Sequence, residues 1–257
     1  MSSPSRARRR ALLVGVGGLG CPAAIALARA GVGTLGLCDD DVVERSNLHR
    51  QILFRDADVG SSKLACAARA LREWAPEVDT RVHEGRLLPG GAVDLVGQYD
   101  VVLEGSDNFA TKFLAADACA LAGVPVVHAS AVRWIGTALA VGRGGAPCYR
   151  CLFEDLPRDG APNCAEAGVM GPVVGLIGAA QADLALALLD ELPAAAGQLV
   201  TFDGRTGEFR RRGIRARADC ALCGRRARIR SIEAHAYAAP ESTGAARCAA
   251  NDAGCAS

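Results

Sequence analysis

Short apolar runs alternate with segments of helical periodicity along the first half of the 257-residue chain. Six apolar runs have the length of buried strands, at 11–16, 34–38, 78–82, 100–104, 125–130 and 132–141. Helices are predicted at 19–30, 61–74 and 109–122, with the end of a short helix at 94–98, and in 61–74 apolar residues recur at helical spacing. Strands that alternate with helices indicate parallel βαβ units. The pattern therefore predicts an α/β fold with a doubly wound, mostly parallel sheet.

The later part of the chain predicts a core helix and a hairpin. The segment 168–192 is apolar enough to be mistaken for a membrane span, but Gln181 and Asp183 interrupt it. We therefore expect a helix of the core, whose glycines would also suit a dimer interface. Segments 198–203 and 207–212 have the pattern of a hairpin, which would add an antiparallel extension to the sheet.

A glycine-rich turn follows the first predicted strand. Gly15, Gly17 and Gly20 have the spacing G-x-G-x-x-G, with Gly18 as an extra glycine, and they lead into the first helix. Glycines let the backbone approach a phosphate, and a helix N-terminus offers oriented N–H donors. Asp39 ends the second strand, where an acid can bind ribose hydroxyls. This context favours a Rossmann-like nucleotide site over a tight turn without a ligand.

Polar and basic residues gather after the second strand. Asn47, Arg50 and Gln51 lie in the stretch SNLHRQ, and Lys63 lies in the first turn of the next helix. A Rossmann enzyme that transfers hydride does not generally need asparagine, arginine and lysine grouped just after its second strand. A triphosphate does need cationic and amide donors, and arginine can bind it through two N–H groups. Because lysine is usually better placed at the C-terminus of a helix, Lys63 also suits a bound polyphosphate, although an exposed lysine is the simpler explanation.

These motifs resemble those of the ThiF/MoeB/HesA family, bacterial relatives of ubiquitin-activating E1 enzymes. The resemblance covers roughly residues 10–224. Its motifs occur in the family's order: GVGGLG at 15–20, the D-x-D of Asp39 and Asp41, SNLHRQ at 46–51, GSSK at 60–63, SDN at 106–108, CxxC at 148–151, NCAEAGVMGP at 163–172 and CxxC at 220–223. The family's T-D-N appears here as S-D-N, which keeps the acid.

The resemblance implies an adenylyltransferase. Its substrates would be MgATP and the C-terminal Gly-Gly carboxylate of a small ubiquitin-like sulfur carrier protein. A separate sulfur donor would then convert the acyl adenylate to a thiocarboxylate. Asp39 would hold the ribose, and Asn47, Arg50 and Lys63 the phosphates. The residues expected to contact the nucleotide are Gly15, Gly17, Gly18, Gly20, Asp39, Asp41, Asn47, Arg50, Gln51, Lys63 and Asp107.

Asp107 follows the strand predicted at 100–104, at the edge where ligand sites of open α/β sheets gather. A carboxylate there is a suitable hard ligand for Mg²⁺ beside the phosphates. The alternative role is to cap the helix that begins at Phe109. We favour the magnesium role, which makes Asp107 a candidate catalytic residue beside Arg50 and Lys63.

Two CxxC pairs, Cys148 with Cys151 and Cys220 with Cys223, supply four thiolates, enough to close a tetrahedral structural zinc site. The chain has 11 cysteines, an odd number, and lacks a secretory signal, which favours reduced thiols and metal over a disulfide framework. A redox role for either pair is the alternative, but the thioredoxin-type βαβ context is missing around both. The sequence therefore predicts Zn²⁺.

A polar, proline-containing stretch, EDLPRDGAPNCAE at 154–166, is predicted to be a loop. A loop of this length in a compact domain is often functional. In the resembling family this crossover loop holds a cysteine that some branches use for sulfur transfer or thioester chemistry, which here would be Cys164. Because a free cysteine usually behaves as a small buried apolar residue, a catalytic and a structural role for Cys164 both stay open.

The two ends of the chain are predicted to be tails around a domain at 11–224. Residues 1–10 are basic and lack the apolar core of a signal peptide, so a solvated tail and a cytoplasmic protein are expected. Residues 225–257 are rich in Ala, Ser, Gly and charge without a period, which predicts a mostly disordered tail and leaves no room for the rhodanese sulfurtransferase domain of longer family members.

The resemblance also implies a homodimer. In the family a longer N-terminal segment carries an arginine to the partner's ATP. Here an arginine of the basic tail could replace it, the start could be truncated, or the arginine could be absent.

Charge and motif together leave three classes of function. The net charge of +1 gives no field that would favour nucleic acid or an anionic membrane. An NAD-dependent oxidoreductase is permitted by the glycine turn and Asp39. An inactive scaffold that binds a ubiquitin-like partner without chemistry would fit the missing N-terminal segment. Adenylation is the class that also accounts for the residues at 46–63.

Overall fold

The computed structural model describes residues 6–156 and 168–237, which contain one eight-stranded sheet. Its strands are β1 (Arg10–Val14), β2 (Thr34–Asp39), β3 (Asp79–Glu84), β4 (Val101–Glu104), β5 (Val126–Val132), β6 (Ile135–Val141), β7 (Gln198–Asp203) and β8 (Glu208–Gly213). Their order is β3-β2-β1-β4-β5-β6-β7-β8. The first five are parallel and the last three antiparallel. The predicted mostly parallel sheet with an antiparallel extension is confirmed.

Helices cover both faces of this sheet. They are α1 (Gly20–Arg29), α2 (Lys63–Trp74), α3 (Ala92–Val96), α4 (Phe109–Ala122), α5 (Tyr149–Leu152) and α6 (Gly171–Leu189). Successive residues of a strand point to opposite faces. Leu13 therefore belongs to the core formed with α1, α2 and α6, whereas its neighbour Leu12 belongs to the core formed with α3 and α4. Strands that are apolar on both faces thus produce the three layers.

The order of the parallel strands creates a crevice between β1 and β4. From β1 the chain moves outward through β2 to β3, and it then returns to β4 on the other side of β1. The connections that leave β1 and β4 consequently lie on opposite faces of the sheet, and they separate at the carboxyl ends of these strands. Such a switch point is where open α/β sheets bind ligands.

Helix α6 is the apolar segment predicted to be a core helix. Its length and composition would allow it to cross a membrane, but half of its most apolar window is buried against the rest of the protein. Ile177 and Ala182 are fully buried in the core with α1. A Cβ at Gly178 would lie 2.5 Å from the Leu19 carbonyl oxygen, so only glycine permits this close approach. The core-helix prediction is confirmed.

The basic run from Arg6 to Arg10 is held against the folded part of the chain. Arg6–Arg8 forms a 3₁₀ turn, and Arg10 already belongs to β1. The Arg6 guanidinium forms an ion pair with Asp190, just after α6. The structure therefore differs here from the expected solvated tail, because an arginine run can be held by carboxylates far away in the chain.

The predicted carboxyl-terminal tail is folded as far as it is described. Tyr237 is buried, and its hydroxyl donates a hydrogen bond to the Asp117 carboxylate in α4 at 2.7 Å. This contact corrects the expectation of disorder for 225–237. A single aromatic residue and a single carboxylate make it, so it leaves no periodic pattern in the sequence. Residues 238–257 lie outside the described part of the chain.

Candidate functional site

A cleft of about 350 Å³ opens at the carboxyl ends of β1, β2 and β4. It is lined by ten of the residues predicted to contact a nucleotide: Gly15, Gly17, Gly18, Asp39, Asp41, Asn47, Arg50, Gln51, Lys63 and Asp107. Gly20 lies behind the turn as the first residue of α1. Cys164 falls within 157–167, outside the described residues.

The glycine turn packs so closely on its neighbours that side chains would not fit at several of its positions. Gly15 has a φ of 90°, in the left-handed region, and a Cβ there would lie 3.1 Å from the Ser106 nitrogen. A Cβ on Gly20 would lie 2.2 Å from the Gly15 carbonyl oxygen, and one on Gly18 would lie 2.7 Å from the Val174 side chain. The turn therefore packs closely on the β4–α4 loop and on α6, and it presents backbone to the cleft.

Asp39 fixes the glycine turn to the end of β2. Its Oδ2 accepts a hydrogen bond from the Val16 N–H at 2.7 Å, and its Oδ1 accepts one from the Asp41 N–H at 2.9 Å. The side chain is nearly buried, with 9% of the residue exposed. An ionised carboxylate has about four acceptor sites, so hydroxyl donors can still bind it beside these two backbone groups.

Lys63 reaches the cleft from the first turn of α2. Its Nζ donates to Asp41 Oδ2 at 2.7 Å, and its backbone N–H donates to the Asp41 carbonyl at 3.1 Å. Ser62 caps the helix by accepting from the Ala65 N–H at 3.4 Å. Because Lys63 is buried, the explanation of an exposed surface lysine does not hold.

Arg50 and Gln51 also line the cleft. Arg50 Nη2 donates to Asn47 Oδ1 at 2.6 Å, and Nη1 donates to the Ser46 carbonyl at 3.2 Å. Gln51 is buried, and its Oε1 has no hydrogen-bond partner within the described residues. The Arg50 guanidinium is thus already oriented by the loop that precedes it.

Asp107 is exposed at the cleft, and it does not cap α4. The cap is Asn108, whose Oδ1 accepts from the Thr111 N–H at 2.8 Å. The capping alternative for Asp107 is therefore excluded by the geometry of the helix start. Its carboxylate lines the cleft and offers the hard oxygen atoms that divalent cations prefer.

Two features of the site were missed by the sequence reasoning. Arg86 lines the cleft, and its Nε donates to Asp40 Oδ2 at 2.8 Å. A basic residue just beyond the third strand was the available clue, since the carboxyl ends of parallel strands share one edge. The second feature is the buried carboxylate of Glu104 behind the cleft, for which a charged end to the apolar strand DVVLE was the clue.

Glu104 is ionised despite complete burial. Burial acts to raise the pKa of its carboxyl, but Lys112 and His128 outweigh this effect and bring the pKa to about 2. Burial lowers the pKa of His128, so its ring is neutral near pH 7. Nδ1 of this ring lies 3.3 Å from Glu104 Oε2, and its Nε2 has no partner in the described part of the chain. His128 is therefore a core histidine, as predicted.

The four cysteines of the CxxC pairs form one cluster. Their Sγ atoms all lie within 4.8 Å of one another, with Cys148 3.5 Å from Cys220 and Cys151 3.3 Å from Cys223. A tetrahedron with zinc–sulfur bonds of about 2.3 Å places its sulfurs about 3.8 Å apart. The donor set therefore fits zinc.

This cluster is far from the cleft. It is held between the segment that follows β6 and the segment that follows β8. The end of β6 pairs with the start of β5, since Val141 lies opposite Val126. The cysteines therefore belong to the amino-terminal edge of the parallel strands, whereas the cleft opens at the carboxyl edge. A structural metal is the role that fits this place.

Comparison with known proteins identifies the family of this chain. The model of the ThiF family matches residues 6–223. The chain is 47% identical over 225 residues to the adenylyltransferase and sulfurtransferase MOCS3 of Sus scrofa. It is 42% identical over 236 residues to the adenylyltransferase and sulfurtransferase uba4 of Aspergillus clavatus. Each match covers 86% of this chain but only 50% and 48% of the relatives, so the chain spans about half their length.

Solved structures share the fold at low identity. MccB of E. coli, in a structure with MccA-N7isoASN, has a TM-score of 0.75 at 20% identity, covering 86% of this chain and 68% of that one. PaaA has a TM-score of 0.68 at 20% identity, covering 82% of this chain and 65% of that one. Because the family model matches most of the length of this chain, the chain belongs to the ThiF family.

Proposed function

We propose that the protein catalyses ATP-dependent adenylation of the C-terminal Gly-Gly carboxylate of a ubiquitin-like sulfur carrier protein. The observation that carries this proposal is the grouping of Arg50, Lys63 and Asp107 around one cleft beside the glycine turn. Two cations suit a triphosphate, and a carboxylate in the same cleft suits its divalent cation. The relatives at 42–47% identity are named adenylyltransferases, which supports the same chemistry.

The nucleotide would lie across the glycine turn. The N-terminus of α1 and the backbone of the turn offer N–H donors to phosphate. Asp39 retains acceptor sites for the ribose hydroxyls, and Asn47 and Arg50 together present amide and guanidinium donors to the phosphates. Lys63 faces the same space from α2 and adds a compact positive charge.

Asp107 would hold Mg²⁺. Its carboxylate is exposed on the cleft and is not engaged as a helix cap, so it is accessible as an oxygen ligand. When bound, the ion supplies charge neutralisation and Lewis-acid activation at the phosphates. Arg50 and Lys63 would add positive charge in the same cleft.

The reaction asks little covalent work of the protein. An oxygen of the carrier's carboxylate attacks the α-phosphorus of ATP, and the bond from that phosphorus to the pyrophosphate oxygen breaks. The products are the acyl adenylate and pyrophosphate, whose developing negative charge Arg50 and Lys63 are placed to stabilise. A separate sulfur donor would then displace AMP from the adenylate. The Cys148–Cys151–Cys220–Cys223 cluster would hold Zn²⁺ as a structural element.

The test is carrier-dependent exchange of pyrophosphate into ATP, measured with a small protein that ends in Gly-Gly and with the same protein lacking these two glycines. We expect exchange with the first and none with the second. Stabilisation against heat by NAD but not by MgATP would instead support an oxidoreductase. Stabilisation by the carrier without any exchange would support an inactive scaffold.

A further inference from the structure

A buried carboxylate closes the turn that carries Asp107. Glu104 is the last residue of β4 and is completely buried. Its Oε1 accepts two hydrogen bonds from Ser106, one from the backbone N–H at 2.8 Å and one from the hydroxyl at 2.5 Å. Asp107 is the next residue along the chain. The direction in which Asp107 leaves the sheet is therefore set by a side chain that never reaches the cleft.

The other oxygen of Glu104 connects this turn to α4 and β5. Its Oε2 accepts from Lys112 Nζ at 2.9 Å, and Lys112 is itself buried in α4. Lys112 Nζ also donates to the Ala129 carbonyl in β5 at 2.7 Å. The residues that follow Ala129, Ser130 and Ala131, line the cleft. One ion pair thus joins the end of β4, the middle of β5 and the first turn of α4.

Helix α6 secures the same two strands from the other face. The Gln181 amide donates to the Glu104 carbonyl at 2.9 Å and to the Val127 carbonyl at 2.8 Å. Glu104 is therefore held through its backbone by α6 and through its side chain by α4 and β5. A buried ion pair adds little net stability compared with well-packed apolar residues, but its hydrogen bonds fix direction. Such rigidity matters where a ligand must be held within about 0.5 Å of its working position.

We propose that Glu104, through Ser106, is the positioning residue for the magnesium ligand Asp107. This inference rests on the proposed function, since it assigns Asp107 to the metal of MgATP. Glu104 touches neither nucleotide nor carrier. It acts by holding the β4–α4 turn in the one conformation that presents the Asp107 carboxylate to the phosphates.

The experiment compares the magnesium dependence of five proteins: wild type, Glu104→Gln, Ser106→Ala, Ser106→Thr and Asp117→Asn. Asp117 is the matched control, because it is a completely buried carboxylate in α4 that pairs with Arg150 at 2.8 Å, away from the cleft. Two readouts are taken, the Mg²⁺ concentration that half-saturates carrier-dependent exchange and the one that half-saturates the rise in melting temperature caused by ATP.

We expect Ser106→Ala to raise the half-saturating Mg²⁺ concentration about threefold to tenfold, as for loss of one charge-assisted hydrogen bond. Glu104→Gln should raise it about tenfold or more, since it also disturbs the contact with Lys112. Ser106→Thr, which keeps the hydroxyl, should stay near the wild type. Asp117→Asn should lower the melting temperature and leave the Mg²⁺ dependence unchanged.

Wild-type Mg²⁺ dependence in folded Glu104→Gln and Ser106→Ala would overturn the proposal. An equal increase in Asp117→Asn would also overturn it, because general loosening would then explain the effect. If wild type is stabilised by MgATP without exchanging pyrophosphate, the proposed function fails, but the melting titration still decides the role of Glu104. A wild type without Mg²⁺-dependent stabilisation by ATP would overturn both.

Discussion

Lys63 Nζ lies 2.7 Å from Asp41 Oδ2, yet only 6% of the Lys63 side chain is exposed, against 61% of the Asp41 side chain. The pair therefore joins a buried cation to a carboxylate that water can reach. Exchanging Asp41 for another anion costs little, because the released carboxylate is readily hydrated while the buried ammonium stays paired. A polyphosphate can consequently take over Lys63 without leaving a buried charge behind, which is what an adenylating site requires.

Two buried lysines should respond differently to truncation. We expect Lys63→Ala to lower carrier-dependent exchange about a hundredfold, as for loss of a charge that stabilises the transition state, with little change in stability. Lys112→Ala should instead destabilise the protein by about 3–5 kcal/mol, because it leaves the Glu104 carboxylate buried without its cation. Urea unfolding and pyrophosphate exchange measure the two effects. A Lys63→Ala protein that is as unstable as Lys112→Ala would contradict this reasoning.

Arg50 should be needed for catalysis and dispensable for folding. Arg50→Ala is expected to reduce pyrophosphate exchange about a hundredfold or more. Arg45→Ala is a matched control, since Arg45 belongs to the same loop but pairs with Asp56 in solvent at 2.5 Å. It should leave both exchange and melting temperature close to the wild type. Exchange that survives Arg50→Ala within a factor of about three would remove Arg50 from the site.

The Glu104 carboxyl should make the free energy of unfolding depend on pH below about pH 5. Its pKa of about 2 lies below the value of about 4.3 expected in an unfolded chain. A carboxyl with a lowered pKa stabilises the fold above the unfolded value, and this contribution disappears as the pH falls toward the folded value. We expect the difference in unfolding free energy between wild type and Glu104→Gln to shrink steadily from about pH 5 to about pH 2. Urea unfolding at each pH measures it, and a difference that does not vary with pH would show that Glu104 is not ionised in the fold.

Zinc should stabilise the segment between β6 and the carboxyl-terminal residues. We expect about one Zn²⁺ per chain, with Cys151→Ser and Cys223→Ser losing metal and thermal stability together. Cys255→Ser serves as the control cysteine substitution and should retain both. Metal analysis of reduced protein prepared without chelator measures the content. A protein without zinc under these conditions would favour a redox role for the two pairs.

Cys164 should not be needed for adenylation. The step requires a carboxylate, MgATP and positive charge, so Cys164→Ala is expected to leave pyrophosphate exchange intact. If this thiol acts, it acts later, by attacking the activated carbonyl, which would displace AMP and form a thioester with the carrier. Thiocarboxylate formation and a carrier adduct on non-reducing gels are the measurements. Lost exchange in a folded Cys164→Ala protein would mean that the residue belongs to the adenylation step.

The sequence by itself determined the layers of the fold and the place of the site. Apolar runs and helical periods predicted the parallel sheet, since burial on both faces of a strand leaves a direct pattern. The glycine turn could also be predicted, because the backbone conformation at Gly15 and the close packing at Gly20 both require glycine. Two CxxC pairs predicted a cluster of four thiolates, since a knuckle fixes two of them locally.

Only the tertiary structure decided which partners the polar side chains choose. Both Asp107 and Asn108 were suitable caps for α4, and the geometry of the turn selected Asn108. The bond from Glu104 to Lys112 could not be foreseen, and neither could the one from Tyr237 to Asp117, which spans 120 residues. Such pairs leave no periodic pattern in the sequence, because each depends on how distant segments pack. Local requirements of the backbone, such as a glycine at a tight turn, can therefore be predicted from the sequence. The partners of the charged residues behind the cleft cannot, because they are set only when the sheet brings those residues together.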